Sequence, residues 1–226
     1  MTNAALIVAA GRGSRMGAET PKQYLTLGEH AVLTHTIQAF LASDRIDCVR
    51  AVIHPEDYAP YTQATEDVTD PRLLPPVPGG ATRAVSVRLG LEALAEVRPT
   101  HVLIHDAARP FCPPDLITRV IDALATAEGA FAALPVVDAL WRTDGTKATT
   151  PVSREGLWRA QTPQAFRFDA ILAAHRSGPE DAADDVAIAR RAGLTVAVVD
   201  GSEENFKITR PADLDRAERL LAEWQS

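Results

Sequence analysis

Cysteine occurs only twice in these 226 residues, at Cys48 and Cys112. Two thiols are too few for a disulfide framework and fit a reducing compartment, so a cytoplasmic location is expected. Long apolar runs are also missing. The longest are strand-sized, far below the roughly 18 apolar residues of a membrane-spanning helix, and no membrane association is expected. No basic leader precedes the apolar run at Ala4 to Ala10, so no cleaved signal is expected. An excess of positive charge is lacking as well. With 23 Lys and Arg against 30 Asp and Glu, the formal net charge is -7, which argues against a nucleic-acid surface built on clustered cations. Any phosphate site must therefore be local. Lysine itself is scarce: Lys22, Lys147 and Lys207 are the three in the chain, and arginine supplies the remaining basic charge. In such a background each lysine marks a place where a compact ammonium is preferred to a planar guanidinium.

What is present is hydrophobic content of 46%, enough for one substantial core, and the length suits a single domain over residues 1–226. Strand-like runs at Ala4 to Ala9, Val49 to Ile53, His101 to His105, Ala130 to Val137 and Leu194 to Val199 alternate with amphipathic stretches. Spacings of three and four predict helices near Val32 to Leu41, Thr82 to Glu96, Pro114 to Ala127, Asp184 to Ala192 and Ala212 to Trp224. That alternation predicts an α/β fold, a Rossmann-like three-layer sandwich with a mostly parallel sheet. Between residues 138 and 160 the pattern degrades, and Asp144-Gly145 reads as a hairpin turn in a projecting β-arm. There is no internal repeat.

The first strand ends in Ala9-Ala10-Gly11-Arg12-Gly13-Ser14-Arg15-Met16-Gly17, where ligands of open α/β sheets bind. Glycines let main-chain N–H groups approach phosphate oxygens, and arginines add forked cationic donors. Met16 stands where a third glycine of G-x-G-x-x-G would be, and no G-x-x-x-x-G-K-[ST] follows, so neither a dinucleotide site nor a P-loop is indicated. Lys22 follows in Thr20-Pro21-Lys22-Gln23-Tyr24-Leu25, placed to fold back over the loop. Pro78-Gly79-Gly80 runs into a helix start carrying Arg83 and Ser86. The strand from His101 delivers Asp106 to its carboxyl end, with Arg109 three residues on. A hard oxygen ligand of this kind suits Mg²⁺, whereas His101 and His105 read as strand residues rather than metal ligands.

The run A-A-G-x-G-x-R-M-G followed by P-K-Q-Y-L resembles the nucleotide-binding signature of the methylerythritol 4-phosphate cytidylyltransferases. G-G-x-x-R-x-x-S-V, H-D-A-A-R-P, R-x-x-L-W-x-x-x-T-P-Q-x-F and N-x-K-[IV]-T-x-P-x-D-L are also similar to that family's motifs, in the same order from Ala9 to Leu214. The resemblance implies a nucleotide site of Ala10, Gly11, Gly13, Gly80, Ser86 and Asp106, with Arg15, Lys22 and Lys207 as catalytic cations. It also implies Asp106 on Mg²⁺ or another divalent cation, and an acceptor site of Arg109, Arg154 and Thr162. The partners it implies are CTP, a sugar-alcohol phosphate and a second copy of the chain, exchanged through the arm. No second catalytic domain is expected after the terminal helix. Two departures stand out: Ala139 where the family commonly has threonine, and Ala183 before Asp184-Asp185, which read as structural carboxylates. Ala139 keeps a ribitol 5-phosphate acceptor open as an alternative. A catalytically silent nucleotide-binding module is a third reading, opposed by the retention of Arg15, Lys22, Asp106 and Lys207.

Overall fold

A computed structural model of the chain describes residues 1–12 and 20–225. Seven strands form one sheet: β1 (Asn3–Ala9), β4 (Cys48–Ile53), β5 (Val77–Pro78), β6 (His101–Asp106), β7 (Gly129–Pro135), β10 (Trp158–Arg167) and β11 (Val196–Asp200). Their spatial order is β11-β7-β10-β6-β1-β4-β5. Within it β10 runs antiparallel to both β6 and β7, and every other neighbouring pair is parallel. The sheet is therefore mostly parallel, as the sequence predicts.

Both faces are covered, which is why the central strands read as continuous apolar runs. Side chains of a strand alternate between faces. On β1, Ala5, Ile7 and Ala9 join one core with α1 (Val32–Leu41) and α4 (Pro114–Ala123), on the side where Tyr61 of α2 (Tyr58–Ala64) also packs. Ala4 and Leu6 point the other way, into a second core with α3 (Arg83–Leu94), α5 (Phe168–Ser177) and α6 (Asp185–Arg191). Gly90 lets α3 lie close on that face. A Cβ there would come within 2.6 Å of Val52 and 2.7 Å of Leu6. The last helix, α7 (Pro211–Gln225), closes a third cluster with Leu27, Phe111 and Ile208, beside the short pair β2 (Thr26–Leu27) and β3 (His30–Ala31). The result is the expected three-layer α/β sandwich.

The projecting segment is a two-stranded hairpin, β8 (Leu140–Asp144) and β9 (Lys147–Val152), exposed along nearly its whole length. Its two-residue loop is Gly145-Thr146, one residue beyond the expected Asp144-Gly145 centre. Gly145 has φ of 56°, and glycine at the first loop position suits a turn whose twist matches the flanking strands. Outside the sequence expectation lie β10, α5 and α2, together with the two-residue strands β2, β3 and β5. Among the described residues no helix is long and apolar enough to cross a membrane. Both cysteines are buried free thiols.

Candidate active site

At the carboxyl ends of β1 and β6 opens a cavity of about 420 Å³, lined by Ala10, Gly11, Lys22, Gly80, Ser86, Asp106 and Lys207 among others. Seven of the sequence-predicted site residues thus meet in one place. Arg15 and Gly13 lie outside the described residues.

Each wall has a local cause. Pro21 opens a single 3-10 turn, Lys22–Tyr24, that returns the chain toward β1. Buried Gln23 then donates from Nε2 to the carbonyls of Ala9 (2.7 Å) and Gly11 (3.1 Å), pinning the end of the first strand. Lys22 Nζ donates to the Ile208 carbonyl at 3.0 Å, so it sits beside the segment that carries Lys207. Opposite, Thr82 caps α3 by accepting from the Val85 N–H. Ser86 Oγ accepts from the Gly80 N–H (3.1 Å) and donates to the Thr82 carbonyl (2.8 Å), which shapes the Gly79-Gly80 turn. Gly79 is required here. A Cβ on it would stand 2.6 Å from Ala10 Cβ and 2.8 Å from Ser86 Oγ.

Asp106 is the electrostatic centre. Lys207 Nζ lies 2.9 Å and Arg109 Nε 3.4 Å from its Oδ2, and Arg83 Nε lies 3.7 Å from its Oδ1. Burial alone would raise its pKa, but these three cations overcome that and hold the carboxyl far below the ordinary carboxylate range. Arg83 is itself anchored from behind by fully buried Asp185, at 2.7 Å. His175 Nε2 approaches Asp185 at 3.2 Å without hydrogen-bond alignment. Burial opposes both charges, yet the Asp185 and Asp106 carboxylates raise Arg83, and Arg83 holds Asp185 below its ordinary value. Asp184 accepts from the Ala187 N–H as the cap of α6. Both carboxylates are thus structural, as the sequence suggests. Among the described residues that line the cavity, Arg12, Lys22, Arg83 and Lys207 are set against one carboxylate, Asp106. A locally cationic hollow in a chain of net charge -7 suits a polyanion.

The three residues expected to hold an acceptor do not line this cavity. Arg109 is buried, paired with Asp106 and donating to the Asn205 carbonyl at 2.7 Å. Burial lowers its pKa, countered in part by Asp106. Thr162 is buried and hydrogen-bonded to His105 and to the Asp106 N–H. Arg154 lies at the base of the hairpin and donates to the Val137 carbonyl. Sequence reasoning passed over Gln23 and Asp185's hold on Arg83. Arg12, one of the two arginines that the sequence offers in the glycine-rich run, lines the cavity and pairs with Glu56 and, at 3.1 Å, with Asp57. The glutamine stood in plain view within P-K-Q-Y-L.

Comparison with known proteins decides between nucleotide-binding families. A family model described as IspD, 2-C-methyl-D-erythritol 4-phosphate cytidylyltransferase, matches residues 3–223. The chain belongs to this family. A 2-C-methyl-D-erythritol 4-phosphate cytidylyltransferase of Cereibacter sphaeroides is 54% identical over 222 residues, covering 98% of each chain. A bifunctional IspD/IspF enzyme of Rhodospirillum rubrum is 55% identical over 219 residues, 96% of this chain but 56% of that protein. Among solved structures, a 4-diphosphocytidyl-2C-methyl-D-erythritol synthase superposes with a TM-score of 0.85 at 32% identity, covering 97% of this chain and 98% of that one. The IspD cytidylyltransferase of Thermus thermophilus superposes at 0.79, also at 32% identity, with 96% and 98% covered. The cavity therefore sits on an IspD cytidylyltransferase fold.

Proposed function

We propose that this chain joins CTP to 2-C-methyl-D-erythritol 4-phosphate, releasing pyrophosphate and giving 4-diphosphocytidyl-2-C-methyl-D-erythritol for isoprenoid precursor synthesis. The observation that carries the reading is the convergence of Lys22, Lys207 and Asp106 on one cavity walled by Ala10, Gly11, Gly80 and Ser86. An acceptor phosphate oxygen attacks the α-phosphorus, and the bond from that phosphorus to the bridging oxygen of pyrophosphate breaks. The acceptor phosphate is already anionic, so no general base and no covalent enzyme intermediate are needed. The barrier is repulsion between polyanions, and catalysis rests on placement and fixed charge. Lys22 and Lys207, with Arg15 from the glycine-rich loop, offset the charge that grows on the transferring and leaving phosphates.

Among the described residues Asp106 is the one carboxylate lining the cavity, and no group of three metal-ligating side chains exists. This donor set fits Mg²⁺, which commonly takes one or two carboxylates and completes its shell with water and substrate phosphates. Asp106 would hold the ion, which when bound neutralises phosphate charge. Lys207 shares the Asp106 carboxylate in the free protein.

For the acceptor, our reading places Arg109, Arg154 and Thr162 around the sugar phosphate, with Arg154 supplied across a homodimer by the exchanged arm. Exposed Val137, Trp141, Leu157 and Trp158 around the hairpin support an arm covered by a second copy. Two buried free thiols suit a cytoplasmic home. A panel of acceptors with CTP and Mg²⁺ tests the function: pyrophosphate release is expected with methylerythritol phosphate, and release with ribitol 5-phosphate alone would overturn it.

A further inference from the structure

His105 has no part in the chemistry just described, yet it is fully buried immediately before Asp106, and its two ring nitrogens have different partners. Nε2 lies 3.0 Å from the Arg109 carbonyl oxygen, which can only accept, so Nε2 carries the hydrogen. In the neutral ring Nδ1 is then an acceptor, and the Thr162 hydroxyl, 3.1 Å away, donates to it. That leaves the hydroxyl oxygen to accept from the Asp106 N–H at 3.0 Å. The ring thereby closes a clamp over the Asp106 to Arg109 turn, holding one end directly and the other through Thr162. The carbonyl of Thr162 accepts from Asn205 Nδ2 at 2.7 Å, two residues before Lys207, and Arg109 donates to the Asn205 carbonyl. One threonine therefore ties the carboxylate and the lysine of the nucleotide site to a single scaffold. Its placement follows from the strand: the register of β10 on β7 shifts between Ala160 and Gln164, and such an irregularity re-aims side chains.

We propose that His105 and Thr162 are positioning residues for the nucleotide half of the site, holding Asp106 and Lys207 in the geometry that receives CTP. Neither side chain lines the cavity, so both act through their neighbours. The inference rests on the functional reading above and adds to it a role for Thr162 distinct from acceptor contact. Supporting groups of this kind typically change affinity or rate by ~10- to 100-fold when removed.

Thr162→Val keeps the shape of the side chain and deletes its hydroxyl, Thr162→Ser keeps the hydroxyl, and His105→Gln alters the clamp from the other end. The measurements are Mg²⁺-CTP affinity by calorimetry, kcat, and KM for CTP and acceptor separately. Expected is a fall in Mg²⁺-CTP affinity, measured without acceptor, and in kcat of ~10-fold or more for Thr162→Val and His105→Gln, and recovery of both in Thr162→Ser. A rise in acceptor KM alone, or equal impairment of Thr162→Ser and Thr162→Val, would overturn the proposal. Should the valine and glutamine variants not fold, Thr162→Cys decides, because its thiol is a weaker donor and acceptor at the same position. Reduced CTP affinity in that variant sustains the clamp, and wild-type affinity refutes it. Wild-type protein that releases no pyrophosphate with methylerythritol phosphate would sink the functional reading, leaving the clamp to be decided by calorimetry.

Discussion

Replacing Lys207 by alanine separates a catalytic cation from a structural one. In the free protein its ammonium is 2.9 Å from Asp106 and about a third exposed. Arg109 at 3.4 Å and Arg83 at 3.7 Å remain after its loss, so the carboxylate stays ionised and compensated. A partly exposed ion pair of this kind contributes under about 1 kcal/mol to stability. Its worth in the reaction is larger. A positioned donor acting on charge that develops in the transition state supplies about 2.7–4 kcal/mol, or ~10²- to 10³-fold in kcat. Lys207→Ala should therefore unfold in urea within about 1 kcal/mol of wild type while pyrophosphate release at saturating CTP and acceptor falls at least ~10²-fold. The ratio of the two effects carries the argument. A kcat within about threefold of wild type, or an activity loss matched by lost folded protein, would refute the assignment of Lys207 to the transferring phosphate.

Three further outcomes follow from the geometry. Burial pushes His105 down to about 4, against an ordinary value near 6.5, so the folded ring stays neutral while the unfolded one protonates. Stability should fall by up to about 3 kcal/mol as pH drops from 6.5 to 4, and urea titrations should show this slope reduced in His105→Gln; equal slopes would contradict it. Asp185→Asn breaks a fully buried contact to Arg83 and should cost about 3–5 kcal/mol, with strong coupling to Arg83→Met in a double-mutant cycle, whereas additive losses would mean the pair is idle. Gly79→Ala drives a methyl against Ala10 and Ser86, so KM for CTP should rise and stability drop by about 1–3 kcal/mol, and unchanged CTP kinetics would show that the turn has room to move.

Much of this architecture is legible in the sequence because periodicity reports burial directly. β1, β4, β6, β7 and β11 are all foreseen within two residues at either end, being apolar runs, and all but the edge strand β11 are covered on both faces. The strand β10 escapes because its middle, Gln161-Thr162-Pro163-Gln164, is polar and carries a proline, both signs of a loop. Its polar side chains are buried nonetheless, satisfied by Ser202, Asn205, His105 and the N–H groups of Asp185 and Val186. Tertiary hydrogen bonding thus overrides local character. Helix α5 was within reach, since Phe168, Ile171, Leu172 and His175 follow helical spacing and are buried. At the site, motifs locate Lys22, Asp106 and Lys207, but no linear pattern reports that Asp106 faces three cations. Those cations come from α3, the turn after β6 and the segment before α7, and only folding brings them together.

The strand that leaves the base of the hairpin at Trp158 is the same one that presents Thr162 to Asp106. Insertion and deletion at its two ends therefore have unequal consequences. An extra residue at the Gly145-Thr146 tip is absorbed in solvent, where loop length changes free energy little. An extra residue between Trp158 and Gln161 would turn every side chain from that point to the opposite side of the sheet unless the irregularity at 161–163 absorbed it. Length variation among descendants of this chain should thus concentrate at the tip and leave the stem at a constant count.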